Sequence, residues 1–187
     1  MSMISKFLCV FLWFLALTGC AVEKQRGASQ SFVIVDASIP GEEITNGLAV
    51  RGVRNFQQFF ADVSADSVRA LISELYAEDV WFNDTLKTMR GRDEVEEYFL
   101  KTTEHVDFIR AEVVDSAISG RNCYVRWVMD VRFKGQTDTV QTIGMTLLRF
   151  NREGQVILHQ DFWDASAGFY EHLPVLGGVL RWIKSKI

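Results

Sequence analysis

Apolar side chains recur at helical spacing between residues 52 and 76, in two sets. The sets are Val53, Phe56, Phe59 and Phe60, and then Val68, Leu71, Ile72, Leu75 and Tyr76. Spacings of three and four residues place each set on one side of a helix. The pattern therefore predicts two packed helices, the second of which is capped by Ser64 or Asp66.

A third helix and a run of strands are predicted next. A short strand is expected at 80–82, and a helix begins after Gly91, with Asp93 and Glu94 in its first turn, where carboxylates are favoured by the helix dipole. Beyond residue 106 the apolar period becomes two, which predicts strands near 107–118, 122–133, 137–150 and 155–163. Short polar breaks that contain glycine separate these strands. The sequence thus predicts three helices followed by an antiparallel meander.

The two ends of the chain have patterns of their own. Residues 32–35 are expected to form a short strand, and residues 36–47 a loop, because Pro40-Gly41 and Asn46-Gly47 are turn signals. Residues 173–187 combine apolar positions at helical spacing with a basic end, which predicts an amphipathic helix. This helix either packs on the domain as a lid or flank, or contacts a membrane surface through Trp182.

The first twenty residues have the pattern of a secretory signal. Lys6 precedes the eleven apolar residues 7–17, a run too short to span a bilayer. The tetrapeptide that ends at Cys20, Leu-Thr-Gly-Cys, resembles the lipobox of bacterial lipoproteins, in which the cysteine is lipidated. Ala21 then implies sorting to the outer membrane, with the domain facing the periplasm. An ordinary signal peptide with a chance cysteine is the alternative.

These boundaries divide the chain into a signal peptide at 1–19, a lipidated cysteine and tether at 20–31, and one domain at 32–187 with its core at 52–170. Cys123 is the single cysteine of that domain, so no internal disulfide is expected. An apolar content of 48% excludes disorder, and a pI near 5.4 without basic runs argues against nucleic acid. Three histidines without ligand-type spacing predict no metal, and no cofactor is predicted.

The order of elements resembles the SnoaL-like branch of the nuclear transport factor two superfamily. The segments that carry the resemblance are 75–84, 91–93, 148–150 before Gly154, and 160–164. It implies an α+β fold: one cone-shaped domain whose curved antiparallel sheet is wrapped by three N-terminal helices, with an extra C-terminal amphipathic helix. Relatives include isomerases, cyclases, epoxide hydrolases, dehydratases and binding proteins, so the resemblance implies a pocket for a small hydrophobic molecule.

Asp84 matches the position of the catalytic base in ketosteroid-isomerase-like members. Those members also need donors for the developing oxyanion. Here Phe60 stands where the donor tyrosine would be, and Thr146 where a protonated aspartate would be. A structural role in the turn at residues 83–85 is the alternative for Asp84.

Asp130 and Asp161 match the two aspartates that activate water in limonene-epoxide-hydrolase-like members. Phe82 stands where those members have a tyrosine that holds the water. One carboxylate accepts a proton from water while its protonated partner donates to the opening oxygen. By the alternation of side chains along a strand, His159 shares a face with Asp161.

Val128 stands where the limonene-epoxide-hydrolase-like members have an arginine between the two aspartates. Strand alternation places Arg126, Asp130 and Arg132 on one face, so either arginine is a substitute. In the alternative, these three side chains form a solvated or dimer-facing row, and the opposite apolar face is core.

Two functions follow from these patterns. The first is an enzyme of proton-transfer or water-addition type, with Asp161 as base, Asp130 as acid and Asp84 as alternative base. The second is a carrier lipoprotein that binds a small hydrophobic ligand without changing it. The residues predicted to line the pocket are Phe60, Phe82, Arg126, Thr146, His159 and Trp163.

Overall fold

A computed structural model describes residues 38–39, 41–173 and 175–187. The signal peptide, Cys20, the tether and the strand expected at 32–35 lie outside the described residues. Elements are numbered below in chain order within the described part.

Two helices open the described domain. Helix α1 spans Asn46–Phe60, because the Thr45 hydroxyl accepts the Leu48 N–H at 3.3 Å and caps the first turn. The expected turn at Asn46-Gly47 is therefore wrong. Helix α2 spans Ala65–Leu75, and Ser64 is confirmed as its cap.

Six strands and a third helix follow, and all of them except β2 stand in the predicted order. The elements are β1 Tyr76–Asn83, β2 Thr88–Arg90, α3 Arg92–Thr103, β3 Val106–Ser119, β4 Asn122–Phe133, β5 Val140–Phe150 and β6 Val156–Trp163. Strand β1 is longer than expected, since Tyr76 leaves α2 directly into the sheet, and β2 carried no clear sequence signal.

The strands form one curved sheet in the order β2-β1-β6-β5-β4-β3. The meander β3 to β6 is antiparallel, as predicted, but β1 pairs with β6 in parallel. No hairpin joins β1 to β6, because α3 and the rest of the meander separate them along the chain, so a parallel pair is allowed. The register shifts within β3 and between β5 and β6, and such irregularities bend strands.

The core lies between the three helices and the inner face of the sheet. Phe56 and Phe59 of α1 pack with Val125 of β4 and Phe150 of β5, all nearly inaccessible to solvent. Gly52 allows α1 to approach, since a Cβ there would lie 2.4 Å from the Phe150 ring. The inner face of the sheet is therefore the apolar one.

The C-terminal region contains three short elements: helix α4 at Ala165–Gly168, a 3-10 turn at Tyr170–His172, and helix α5 at Leu176–Lys184. Helix α5 contacts the domain through its basic side, since Arg181 Nη1 donates to the Glu171 carbonyl at 2.5 Å and Lys184 pairs with the Glu171 carboxylate. Trp182 is 63% exposed. The predicted helix is confirmed, and its apolar side faces solvent. Within the described ranges, no helix combines the length and apolarity that crossing a membrane requires.

Candidate functional site

A cavity of about 290 Å³ lies between the inner face of the sheet and helices α1 and α3. Most of its lining is aromatic or aliphatic. Phe60 enters from α1, Tyr98 and Phe99 enter from α3, and Trp127 and Met129 enter from β4. Two carboxylates also line this cavity, and they come from β6 and from the turn after β1.

Seven of the nine residues predicted for the site line this cavity. They are Asp84, Asp161, Phe60, Phe82, Thr146, His159 and Trp163. Asp130 and Arg126 do not line it.

Asp130 and Arg126 lie on the outer face of the sheet, as the alternative interpretation allowed. Asp130 accepts a hydrogen bond from Gln141 Nε2 at 2.9 Å, and Arg126 lies 3.8 Å from the Asp115 carboxylate. The alternation of β4 decides this placement, because Trp127 and Met129 turn into the cavity. The structure thus corrects the expected pairing of Asp130 with Asp161 and the place of Arg126 in the pocket.

The parallel pairing of β1 and β6 brings the two cavity carboxylates together. Asn83 is the register partner of Gln160, and Gln160 Nε2 donates to Asn83 Oδ1 at 3.1 Å. Asp84 and Asp161 are the residues that follow this pair, so the register brings them to the same level along the two strands. Burial raises the pKa of Asp84, and the charge of Asp161 in the same cavity adds to this rise.

The Asp161 carboxylate is held through one of its two oxygens. Oδ1 accepts from the Thr146 hydroxyl at 2.5 Å and from His159 Nε2 at 2.9 Å. The side chain is 14% exposed. Among the residues that the structure describes, Oδ2 has no hydrogen-bond partner, so it is available to a ligand.

A buried chain of side chains positions Asp161 from behind. The Tyr76 hydroxyl lies 3.0 Å from His159 Nδ1, and both residues are almost fully buried. Burial, together with the charges of Asp161 and Asp84, raises the pKa of Tyr76 well above 10.0, so this phenol keeps its proton. In the neutral imidazole, Nε2 carries the proton that the Asp161 carboxylate accepts, and Nδ1 then accepts from the Tyr76 hydroxyl.

Gly144 positions the other donor to Asp161. It is the register partner of Trp127, and a Cβ at this position would lie 2.3 Å from the indole ring. With that space open, Trp127 Nε1 donates to the Thr146 hydroxyl at 2.8 Å. Thr146 then has its proton free for Asp161, which fixes the direction of both hydrogen bonds.

Asp84 both accepts hydrogen bonds within the turn after β1 and lines the cavity. Its Oδ1 accepts the N–H groups of Leu86 and Lys87 at 2.9 and 2.8 Å, and its Oδ2 accepts from the Tyr98 hydroxyl. Burial raises the pKa of Asp84 above its ordinary 3.8, the charge of Asp161 adds to this, and the hydrogen bonds oppose it. Burial and the neighbouring carboxylate also raise the pKa of Tyr98.

The sequence patterns did not reveal the site roles of two tyrosines. Tyr76 was assigned only to an apolar helix face and no role in the site was predicted for Tyr98, although a phenol on such a face signals a buried hydrogen bond. Cys123 is fully buried, and burial raises its thiol pKa to about 11, as suits a small core residue. Over the described part of the chain, no group of three His, Cys, Asp or Glu is arranged to hold a metal ion.

The family follows from these features and from comparison with known proteins. The family model described as SnoaL-like domain matches residues 53–159, more than half of the chain. The chain therefore belongs to the SnoaL-like family, which confirms the resemblance seen in the sequence.

Solved structures share this NTF2-like cone. A hypothetical protein with a ketosteroid isomerase-like fold from Catenulispora acidiphila, in complex with trimethylamine, has 19% identity and a TM-score of 0.56, over 67% of this chain and 91% of that one. An LEH-like epoxide hydrolase from Mycobacterium tuberculosis has 16% identity and a TM-score of 0.53, over 75% and 95%.

A candidate SnoaL-like polyketide cyclase from Jannaschia sp. CCS1 has 17% identity and a TM-score of 0.53, over 68% of this chain and 97% of that one. At these identities the likeness shows the fold alone. No curated protein gives a significant match.

Proposed function

We propose that the cavity is an acid–base site in which Asp161 removes a proton from a small, largely apolar molecule. The observation that carries this proposal is the Asp161 carboxylate itself. It lies in an apolar cavity, two side chains hold one oxygen, and the other oxygen is without a partner among the described residues. Burying a carboxylate oxygen without a hydrogen-bond partner costs free energy, so its presence in an apolar cavity favours a functional role.

In the proposed step, Asp161 Oδ2 accepts a proton from a carbon next to a carbonyl group of the ligand. The electron pair of the broken C–H bond moves to the carbonyl oxygen, and the proton later returns to the same carbon or to a neighbouring one. His159 keeps Asp161 in place during the transfer, because Tyr76 and Asp161 hold both nitrogens of its ring. Addition of a water activated by Asp161 is the same acid–base chemistry.

The experiment uses a panel of small enolisable ketones and epoxides. Exchange of ketone protons with D2O, followed by NMR, and epoxide opening are compared for the wild type, Asp161→Asn and Asp130→Asn. We expect Asp161→Asn to lose about 10²- to 10⁴-fold in rate, the range for one general base. Asp130→Asn is the matched control, since it removes a carboxylate from the outer face and should keep the wild-type rate.

A wild type with no rate above buffer on any compound of the panel would contradict the proposal. An Asp161→Asn variant that matches the wild type would remove Asp161 from the mechanism.

A second candidate is a carrier that binds its ligand without changing it. One observation favours it: the Thr146 and Tyr98 hydroxyls both donate to aspartates, so neither is free to stabilise an oxyanion. Organic extraction of the purified protein, followed by mass spectrometry, should then release a compound in stoichiometric amount. Empty extracts together with catalysed proton exchange would reject the carrier.

The proposed setting is the bacterial envelope, with lipid on Cys20 anchoring the domain to the outer membrane on its periplasmic side. The support is the lipobox-like tetrapeptide after a short apolar run. Labelled palmitate should enter the wild type and the Cys123→Ser control, and Cys20→Ser should abolish both labelling and membrane association. Labelling of Cys20→Ser at the wild-type level would rule out this anchor.

A further inference from the structure

The charge of the cavity is unbalanced. Asp84 and Asp161 both line it, and its described lining residues include two histidines, His105 and His159, but no lysine or arginine. His159 already bonds Tyr76 and Asp161 through its two ring nitrogens. Carboxylates in apolar surroundings stabilise a nearby positive charge more strongly than carboxylates in water do. The cavity therefore favours a ligand that brings a cation.

Two aromatic side chains contact Asp84, and a third lies close to one of them. Trp163 Nε1 donates to the Asp84 carbonyl at 2.7 Å, and the Tyr98 hydroxyl donates to the Asp84 carboxylate. The Phe82 ring lies with its centroid 6.2 Å from that of Tyr98 and 4.4 Å from that of His159, so it connects the surroundings of the two carboxylates. A cation over aromatic faces is attracted by the ring quadrupole. The aromatic rings and the Asp84 carboxylate thus both favour a bound cation.

The hydrogen bonds of Asp84 limit the kind of cation. Two backbone N–H groups and one phenol already donate to its carboxylate. A primary ammonium must place three N–H donors, and this carboxylate offers it few free lone pairs. A tertiary or quaternary ammonium presents its charge through methyl groups and needs one hydrogen bond or none, so it suits a carboxylate that is already hydrogen-bonded.

We infer that the ligand of this site is a small organic cation whose alkylated ammonium group lies against Asp84, Tyr98, Trp163 and Phe82. The inference rests on the proposed function, since it names the substrate class of the same site. The Thr146 and Tyr98 hydroxyls already donate to aspartates, and an ammonium group next to the reacting carbon would stabilise the negative charge that forms when Asp161 takes the proton. A volume of 290 Å³, about ten waters, accommodates such a molecule.

The test compares two molecules of equal shape. Choline and 3,3-dimethylbutan-1-ol differ in that a carbon replaces the charged nitrogen. Their affinities for the purified full chain are measured by isothermal titration calorimetry. We expect choline to bind at least tenfold more tightly. Asp84→Asn should reduce this ratio at least fivefold, and Asp130→Asn should leave it unchanged.

Each outcome decides the inference. Choline that binds no more tightly than the alcohol, or failure of both to bind, overturns it. A ratio that survives in Asp84→Asn overturns the placement at Asp84, with alcohol affinity as the check that this variant is folded. The comparison of choline with the alcohol on the wild type does not depend on the folding of any variant. Proton exchange on neutral ketones is measured separately, so catalysis without cation preference overturns only this inference, and preference without catalysis overturns only the catalytic proposal.

Discussion

The two faces of the sheet carry aspartates in opposite surroundings. On the inner face, Asp161 lies in an apolar cavity with one oxygen unpartnered among the described residues. On the outer face, Asp115 and Asp107 pair with arginines at 3.8 and 3.1 Å, and Asp130 accepts from a glutamine. An exposed ion pair adds little to the free energy of unfolding and is screened by salt, whereas a buried carboxylate costs free energy to remove from water. Residue type alone therefore does not distinguish these aspartates, whereas the face of the sheet on which each one lies does.

Gly144→Ala should have the largest effect on stability, and it tests how tightly the inner face is packed. The new methyl group meets the Trp127 ring at 2.3 Å, so we expect a loss of about 2–3 kcal/mol in the free energy of unfolding. Urea denaturation measures it. Ile143→Ala, at an exposed neighbour on the outer face, is the control and should stay within about 0.5 kcal/mol. Equal losses would mean that the faces do not differ in packing.

Thr146→Val tests the polar network of the inner face at nearly constant volume. The change leaves the buried Trp127 N–H without its acceptor and removes one donor to Asp161, for an expected loss of about 1–2 kcal/mol. Gln141→Ala removes the matching donor to Asp130 on the outer face and should be close to neutral. A neutral Thr146→Val in urea denaturation would show that the network adds no stability.

The pH dependence of the stability of Asp84→Asn tests whether the charge of Asp84 is buried in the folded protein. The pKa of Asp84 is raised in the folded state, so the wild type loses stability as pH rises from about 3.8 through that raised value. Asparagine keeps the acceptor for both backbone N–H groups and carries no charge. The stability of Asp84→Asn minus that of the wild type should therefore grow with pH across this window, by at most about 1.4 kcal/mol per pH unit for one group.

Thermal denaturation between pH 3.5 and 7 measures this difference, with Asp130→Asn as the control for loss of a carboxylate. A difference that is constant across the range would contradict the raised pKa.

Arg126→Ala should have the smallest effect, because its pair with Asp115 is more than half exposed on both sides. We expect a change below about 1 kcal/mol that shrinks further in 1 M salt. Denaturation at low and high salt measures it. A loss as large as that of Thr146→Val would mean that the ion pair on the outer face stabilises the sheet as much as the Thr146 hydrogen bonds on the inner face do.

Much of the fold was predictable because it depends on local periodicity. Spacings of three and four residues identified the helices, and strict alternation identified β3 to β6. The turn signal at Asn46-Gly47 failed because Thr45 caps a helix there, and propensity gives way to a satisfied cap. Strand β2 was missed because three residues are too few to show a period.

The candidate site was predictable only in part. Alternation placed His159 beside Asp161 and put Arg126 and Asp130 on one face of β4, but alternation is symmetric and does not say which face is inner. The packing of α1 and α3 against Trp127 and its neighbours decided that. The bond between Tyr98 and Asp84 joins a helix to a turn 14 residues away, a separation that no period marks.

The sequence by itself determined the order of the three N-terminal helices and of β3 to β6, the apolar and polar faces of those strands, and the family to which the chain belongs, since all three are recorded in local patterns. The tertiary structure alone decided that Asp84 and Asp161 share a cavity and that Asp130 does not. The physical reason is the parallel register of β1 and β6, which pairs Asn83 with Gln160, 77 positions apart in the chain. Which residues meet across such a separation depends on how helices and sheet pack as a whole.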